Sequence, residues 1–165
     1  MQAQENIGVR SPRDGKRVSV EKWGNEVMGL GFCIIPSLLM QAQRRLGLNP
    51  TQLAVLLQLC DFWWDASRKP FPSKATLSQR LGLSERQVQR YVAELEKAGL
   101  VRRVQRHGHN GGKLSNTYDL AGLVAKLKEL EPDFREVREA AKAARANVSK
   151  PGYRNSKPRA NEKVT

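Results

Sequence analysis

The chain has 165 residues, 39% of them apolar, enough for one domain of ordinary size with appendages and too few for two full enzyme domains. Its 29 basic residues against 16 acidic ones leave a formal net charge of +13, which argues for a polyanionic partner and for nucleic acid before any other. Cys33 and Cys60 stand far apart without C-x-x-C spacing, which excludes a zinc ribbon and a disulfide framework. The longest charge-free run, residues 27–43, contains Gly29, Gly31 and Pro36 and is too short and interrupted to span a bilayer. Residues 1–20 are polar and lack the apolar stretch of a signal peptide. A cytoplasmic protein with no membrane association is expected.

The positive charge is concentrated. Residues 67–113 carry a net +8 and residues 141–165 a net +6, whereas residues 21–66 and 114–140 come to −1 and −2. An ordinary surface scatters both signs, so two basic blocks point to a phosphate-binding face.

In chain order, residues 1–22 are rich in Gln, Gly, Arg and Ser and read as a mobile segment without a fold. Residues 30–35 read as extended. Pro36 stands where a first helical residue is tolerated, and the helix it opens should run to about Leu46, with Gly47 as its stop and Leu38, Leu39, Ala42 and Leu46 inward. The next start is sharper: Asn49 caps, Pro50 takes the first helical position and Gln52 follows three residues after the cap. That helix should reach about Asp65. Leu53, Val55, Leu56, Leu57, Leu59, Cys60, Phe62, Trp63 and Trp64 leave it little polar face, so it is the expected centre of the core.

Residues 68–72 break the pattern with Pro70 and Pro72. Ser73 then caps a short helix over 74–81, turned inward by Leu77 and Leu81 and ended by Gly82. Ser84 and Gln87 form an S-x-x-Q capping box for a longer helix to Lys97, with Val88, Tyr91, Val92 and Leu95 on one stripe. A strand over 100–106, a Gly-rich turn over 108–112 and a returning strand over 116–120 make a hairpin. Two helical stretches follow, one over 122–130 and one starting at Asp133 with Phe134, Val137, Ala141 and Ala144; beyond Asn147 the composition is that of a disordered basic tail.

A buried helix, two helices joined by a tight Gly turn and then a basic hairpin is the order of elements in a winged helix-turn-helix domain. The segment FPSKATLSQRLGLSERQVQRYVAELEKAGLVRR, residues 71–103, resembles the winged-helix proteins of bacteria, phages and plasmids, including the helix-turn-helix regulators and replication initiators of mobile elements. The resemblance covers about residues 34–120 and is most specific over 77–100. It implies a mainly α fold with a small β-hairpin, in which residues 23–120 are the DNA-binding domain, 121–147 a helical extension and 148–165 the tail. It further implies that helix 84–97 enters the major groove.

A projection at ~100° per residue sets Arg86, Arg90, Ala93 and Lys97 opposite the apolar stripe, flanked by Gln87 and Gln89. Arg suits bidentate contact to guanine and Gln to adenine, so Arg86, Gln87, Gln89 and Arg90 are the candidate base-reading residues. The competing account is a solvated helix face with an Arg90–Glu94 pair; three cations in one row and free amides at the helix start weigh against it. Lys74, Thr76, Ser84, Lys97, Arg102, Arg103, Arg106 and Lys113 are candidate backbone contacts, the last four on the wing. The tail, with Lys150, Arg154, Lys157, Arg159 and Lys163, resembles nonspecific DNA-tethering arms. Leu123, Leu127, Phe134 and Val137 are the candidate dimer or partner contacts.

Enzyme readings are weak. His107 and His109 flank a glycine at the wing tip and lack a further ligand for a catalytic metal. Asp61 and Asp65 lie one turn apart without a partner motif, and neither G-x-x-x-x-G-K nor G-x-S-x-G occurs. Phe62, Trp63 and Trp64 would suit base stacking in a single-strand or RNA binder, but their expected place on the enclosed helix argues for core packing.

The expected function is sequence-specific binding of double-stranded DNA by a homodimeric, nucleoid-associated transcriptional regulator, with no cofactor, metal or small-molecule ligand. The alternatives are a replication initiator or primosome-loading factor at origin repeats, working with the replication machinery, and a winged-helix protein-interaction adaptor.

Overall fold

The computed structural model describes residues 12–107, 113–150 and 152. The chain runs α1 (Pro12–Trp23), α2 (Asn25–Gly29), α3 (Ser37–Gln41), α4 (Pro50–Asp61), α5 (Lys74–Leu81), α6 (Glu85–Lys97), β1 (Arg102–His107), β2 (Lys113–Asp119) and α7 (Ala121–Val148). No helix among the described residues is long and apolar enough to cross a membrane.

The core is assembled by the helices whose caps the sequence announces. At α4 the Asn49 side chain accepts from the Gln52 amide and the Gln52 side chain accepts from the Asn49 amide, both at 2.8 Å. The inward residues Leu53, Val55, Leu56 and Leu59 are buried there. Leu77 of α5, Val88, Val92 and Leu95 of α6, and Leu100, Tyr118 and Leu123 close around them, and no polar or charged residue is buried among the described residues. The short α5 ends at Gly82, whose φ of 64° is the left-handed conformation a glycine adopts without steric cost.

β1 and β2 pair antiparallel, Arg102 opposite Asp119 and His107 opposite Lys113, with a bulge between Val104 and Arg106. The hairpin stands against a third extended piece of chain. The Tyr118 amide donates to the Pro70 carbonyl at 2.8 Å, so the proline-rich segment after α4 lies along β2 and Pro70 is buried beneath it. The turn expected over 108–112, with His109, lies outside the described residues, as do the tail residues Arg154, Lys157, Arg159 and Lys163.

Several expectations need correction. Residues 12–22 are helical, not structureless: Pro12 opens α1 and Gly24, at φ 84°, follows its end. Such terminal signals are local and escape a search for apolar periodicity. The helix expected over 36–46 stops at Gln41 because Ala42 leaves helical geometry, and residues 42–47 continue as turns to Gly47. Pro36 is its cap and not its first residue.

α4 ends at Asp61, so Trp63 and Trp64 lie beyond it; Trp64 is 68% exposed. The two C-terminal helices are one, with Pro132 inside α7. An internal proline removes a backbone hydrogen bond and costs on the order of 3 kcal/mol. Anchorage just beyond the proline opposes a break: Arg45 donates to Asp133 at 2.7 Å and its guanidinium lies 5.8 Å from the Phe134 ring. Leu123 is buried in the core and closed to a second chain, and Leu127, half-buried, packs against that core. Phe134 is half-buried beside Arg45, and of the four candidate contacts only Val137, 70% exposed, faces solvent freely.

Candidate nucleic-acid interface

The phase of α6 is set by its first turn. The Ser84 hydroxyl accepts from the Gln87 amide at 3.2 Å, and the Gln87 Oε1 accepts from the Ser84 amide at 2.8 Å. With that start, Val88, Val92 and Leu95 fall into the core, while Arg86, Gln89, Arg90, Ala93 and Lys97 stay exposed. Thirteen residues give the helix a length of ~20 Å, and its outer row presents three cations and an amide to solvent. Among the described residues Arg86 and Lys97 form no ion pair.

Arg90 is held loosely. Its Nε lies 3.8 Å from Glu94 Oε1, its guanidinium 5.0 Å from the neighbouring Tyr91 ring, and the side chain is 60% exposed. A helical pair of that length and exposure contributes only about 0.3–0.5 kcal/mol, so the expected Arg90–Glu94 pair exists without withdrawing Arg90 from the surface. Glu94 is in any case engaged by Gln52, whose Nε2 donates to it at 2.8 Å across α4 and α6.

Gln87 and Ser84 fare differently. Bidentate reading of adenine needs a glutamine oxygen that accepts and a nitrogen that donates, and the Gln87 oxygen is committed to the cap. Gln87 retains its side-chain NH2 as a donor group and shapes the helix start. The Ser84 hydroxyl is committed likewise, and so is Thr76 in the preceding helix: its amide donates to Ser73 Oγ at 3.0 Å and the two hydroxyls hydrogen-bond at 2.8 Å. At these termini the backbone amides and Lys74, which makes no ion pair among the described residues, are what a phosphate could meet.

The wing separates its cations into two roles. Arg103 turns inward: Nε donates to Glu96 Oε2 at 2.7 Å, its backbone amide donates to Oε1 at 2.7 Å, and Nη2 forms an ion pair with Oε2 at 2.5 Å. This brace ties β1 to the end of α6. Burial raises the Glu96 pKa, but the hydrogen bonds and charge of Arg103 outweigh it and hold the carboxyl below its usual range. Arg102 and Lys69 both donate to Asp119 Oδ2 at 2.8 Å, yet the Arg102 side chain is 72% exposed. Those two bonds, with a third from the Ala121 amide, hold the Asp119 carboxyl far below the ordinary value. Arg106 lies with its guanidinium 4.8 Å from the Phe71 ring. Lys113 is placed by its backbone pairing with His107.

The structure therefore brings Arg86, Gln89, Arg90 and Lys97 together on α6, with Lys74 at the start of α5 and Arg102 and Arg106 on β1. Arg103, Ser84, Thr76 and Gln87 are engaged internally. Sequence reasoning missed Glu96 and Asp119, which orient the wing, and Phe71 with Arg68, whose guanidinium lies 5.3 Å from that ring. The Pro-Phe-Pro run was the available signal: an aromatic between two residues that cannot donate a backbone hydrogen bond belongs to an extended edge. Asp61 pairs with Arg80 at 2.7 Å, and Asp65 accepts from the Ser67 amide at 2.9 Å. No group of three or more metal-ligating side chains occurs among the described residues.

Residues 46–101 match the family model described as a helix-turn-helix domain. No curated protein matches the sequence. Solved structures similar to the chain include the N-terminal domain of DnaD protein from Geobacillus kaustophilus, 21% identical over 77% of this chain and 96% of that one, with a TM-score of 0.48. A multiple antibiotic-resistance repressor (MarR) from Listeria monocytogenes is 17% identical over 84% of each chain, TM-score 0.40. A MarR/EmrR family transcriptional regulator from Acinetobacter is 20% identical over 79% of this chain and 80% of that one, TM-score 0.37.

Proposed function

We propose, from the premise that residues 46–101 form a DNA-binding helix-turn-helix domain with a β1–β2 wing behind it, that the chain reads a specific double-stranded DNA site and regulates transcription of a bacterial or mobile-element locus. The observation that carries the reading is the outer face of α6. Its opposite face is locked in the core, its first turn is closed by a capping box, and Arg86, Gln89 and Arg90 are left exposed at consecutive positions of the helical surface. Arginine and glutamine are the side chains that bond guanine and adenine edges in the major groove.

Lys74, Lys97, Arg102 and Arg106 take the phosphates on either side, fixing register without reading sequence. Residues 23–120 act as the DNA-binding unit. α7 supports pairing of two such units, and Val137, Ala141, Ala144 and Val148 form its exposed small-apolar row. The same face would serve a replication initiator at origin repeats, a reading favoured by the distal half of α7, where residues 135–148 are all exposed and free to meet a second protein.

Selection of bound duplexes from a random pool, followed by mapping of the enriched motif, tests the proposal. A palindrome in one or two promoters supports a dimeric regulator, and clustered direct repeats at one locus support the initiator. Arg90→Ala should weaken the selected site by ~1–3 kcal/mol and relax preference at one base pair. An equal loss on every sequence would make Arg90 a phosphate contact, and no enrichment at all would remove the base-reading claim.

A further inference from the structure

The chain between α4 and α5 builds a second surface, centred on Trp64, an aromatic that duplex reading leaves unused. Because α4 stops at Asp61, Trp64 is carried out of the core and is the most exposed aromatic among the described residues, at 68%. It leans on the linker before α3, where the space beside Gly31 is closed by its ring at 3.3 Å. Phe71, 41% exposed, stands across a cleft of about 560 Å³ lined also by Phe62, Asp65, Arg68, Lys69, Pro72, Ser73 and Thr76.

The cleft is bordered by guanidinium groups stacked on its aromatics. Arg68 and Arg106 lie 5.3 and 4.8 Å from the Phe71 ring, and Arg80 lies 4.5 Å from the Phe62 ring. Arg80 is neutralised by Asp61, and Lys69 by Asp119, while Asp65 contributes a negative charge at the rim. Arg68, with the Asp65 charge beside it, and Arg106 are the remaining cations at the cleft, both against the Phe71 ring.

We propose that this cleft binds an unpaired nucleotide of single-stranded DNA, with a base stacked on Trp64 and the adjoining phosphates met by Arg68 and Arg106. An exposed indole beside stacked arginines is the combination that holds single strands: every base has a π-face, and the cations follow the backbone. The volume suits one nucleotide-sized group and not a duplex. The cleft shares Ser73 and Thr76 with the start of α5, so a strand leaving it would lie next to the duplex face. The assignment deepens the duplex proposal and shares Arg106 with it, but its stacking residue, Trp64, and Arg68 take no part in duplex reading.

The test uses the full chain with two probes, a fluorescein-labelled oligothymidine and the selected duplex, read by anisotropy, with tryptophan fluorescence followed in parallel. Base stacking contributes about 1–3 kcal/mol per base, or roughly 5- to 150-fold in affinity. Trp64→Ala should therefore weaken oligothymidine binding at least about 5-fold and change duplex binding less than 2-fold, with Trp64→Phe retaining part of the affinity. Oligothymidine should quench the wild-type emission, and quench the Trp64→Phe emission less. Equal oligothymidine affinity for wild type and Trp64→Ala, or no binding of oligothymidine by the wild type, overturns the assignment. Arg90→Ala separates the two proposals: it should lower duplex binding and leave oligothymidine binding in place. Oligothymidine binding that survives failure of every duplex to bind sinks the first proposal and keeps this one.

Discussion

The brace between Glu96 and Arg103 is the most consequential single contact for the wing, and its strength can be worked from its geometry. Glu96 accepts two hydrogen bonds, one from the guanidinium Nε and one from the Arg103 amide, and forms an ion pair with Nη2. Side-chain exposures of 26% for Glu96 and 33% for Arg103 place the pair between surface and interior. Hydrogen bonds to charged groups contribute about 1.5–3 kcal/mol each when well shielded, and partial solvation reduces this toward the surface value.

Glu96→Ala, which removes both hydrogen bonds and the ion pair, should cost about 2–3 kcal/mol. Arg103→Ala spares the bond donated by the backbone amide and should cost about 1–2 kcal/mol, leaving a coupling of roughly 1 kcal/mol in the double-mutant cycle. Urea denaturation followed by circular dichroism reads these values, and the Glu96→Ala melting temperature should fall by about 4–10 °C for a chain of this size. Salt titration of duplex binding supplies the second half of the test. A brace leaves the slope of log K against log salt unchanged in Arg103→Ala, whereas loss of a phosphate contact reduces it by about one. Coupling within ~0.3 kcal/mol of zero together with a reduced slope would refute the internal role and return Arg103 to the DNA.

Two further outcomes follow from the packing and the charges. A Cβ on Gly122 would lie 2.0 Å from the Gly99 carbonyl oxygen, a backbone atom, so Gly122→Ala must push α7 off the turn after α6 and should cost about 2–3 kcal/mol, visible as a lowered urea midpoint; a change below ~0.5 kcal/mol would show that the helix is free to shift. Glu96 and Asp119 both have carboxyl pKa values lowered on folding, so the unfolded chain binds more protons once the pH falls below the usual carboxylate value of ~4. The stability they supply is complete above that pH and is lost as the pH falls through their folded values. Asp119→Asn should flatten this acid limb in a series of urea melts between pH 2 and 6, and an unchanged limb would mean that the Lys69 and Arg102 bonds do not persist in solution.

Much of the DNA-binding core was legible because its determinants are local. Asn49-Pro50-x-Gln52, Ser73 and Ser84-x-x-Gln87 mark helix starts by side-chain reach of three residues, and Gly82 marks a stop by its access to positive φ. The apolar stripe of α6 then fixes which residues must face out, so Arg86, Gln89 and Arg90 could be named without coordinates. The two ends of the chain were misread for complementary reasons. α1 is a polar helix with terminal signals and no apolar stripe to announce it, and the continuity of α7 through Pro132 coincides with the anchorage of Asp133 and Phe134 by Arg45, 88 residues away from Asp133.

The sequence by itself determined the succession of α4, α5 and α6, the phase of α6 and the placement of positive charge around the wing, since each depends on residues a few positions apart. Tertiary structure alone decided which of the named cations remain available. Glu96 takes Arg103, Asp119 is shared by Lys69 and Arg102, and the capping boxes take the polar groups of Ser84 and Gln87. Partners such as Lys69 and Asp119, 50 residues apart, meet only because the segment after α4 lies along β2. A charged side chain's role is set by what the fold places within ~4 Å of it, and no pattern along the chain carries that distance.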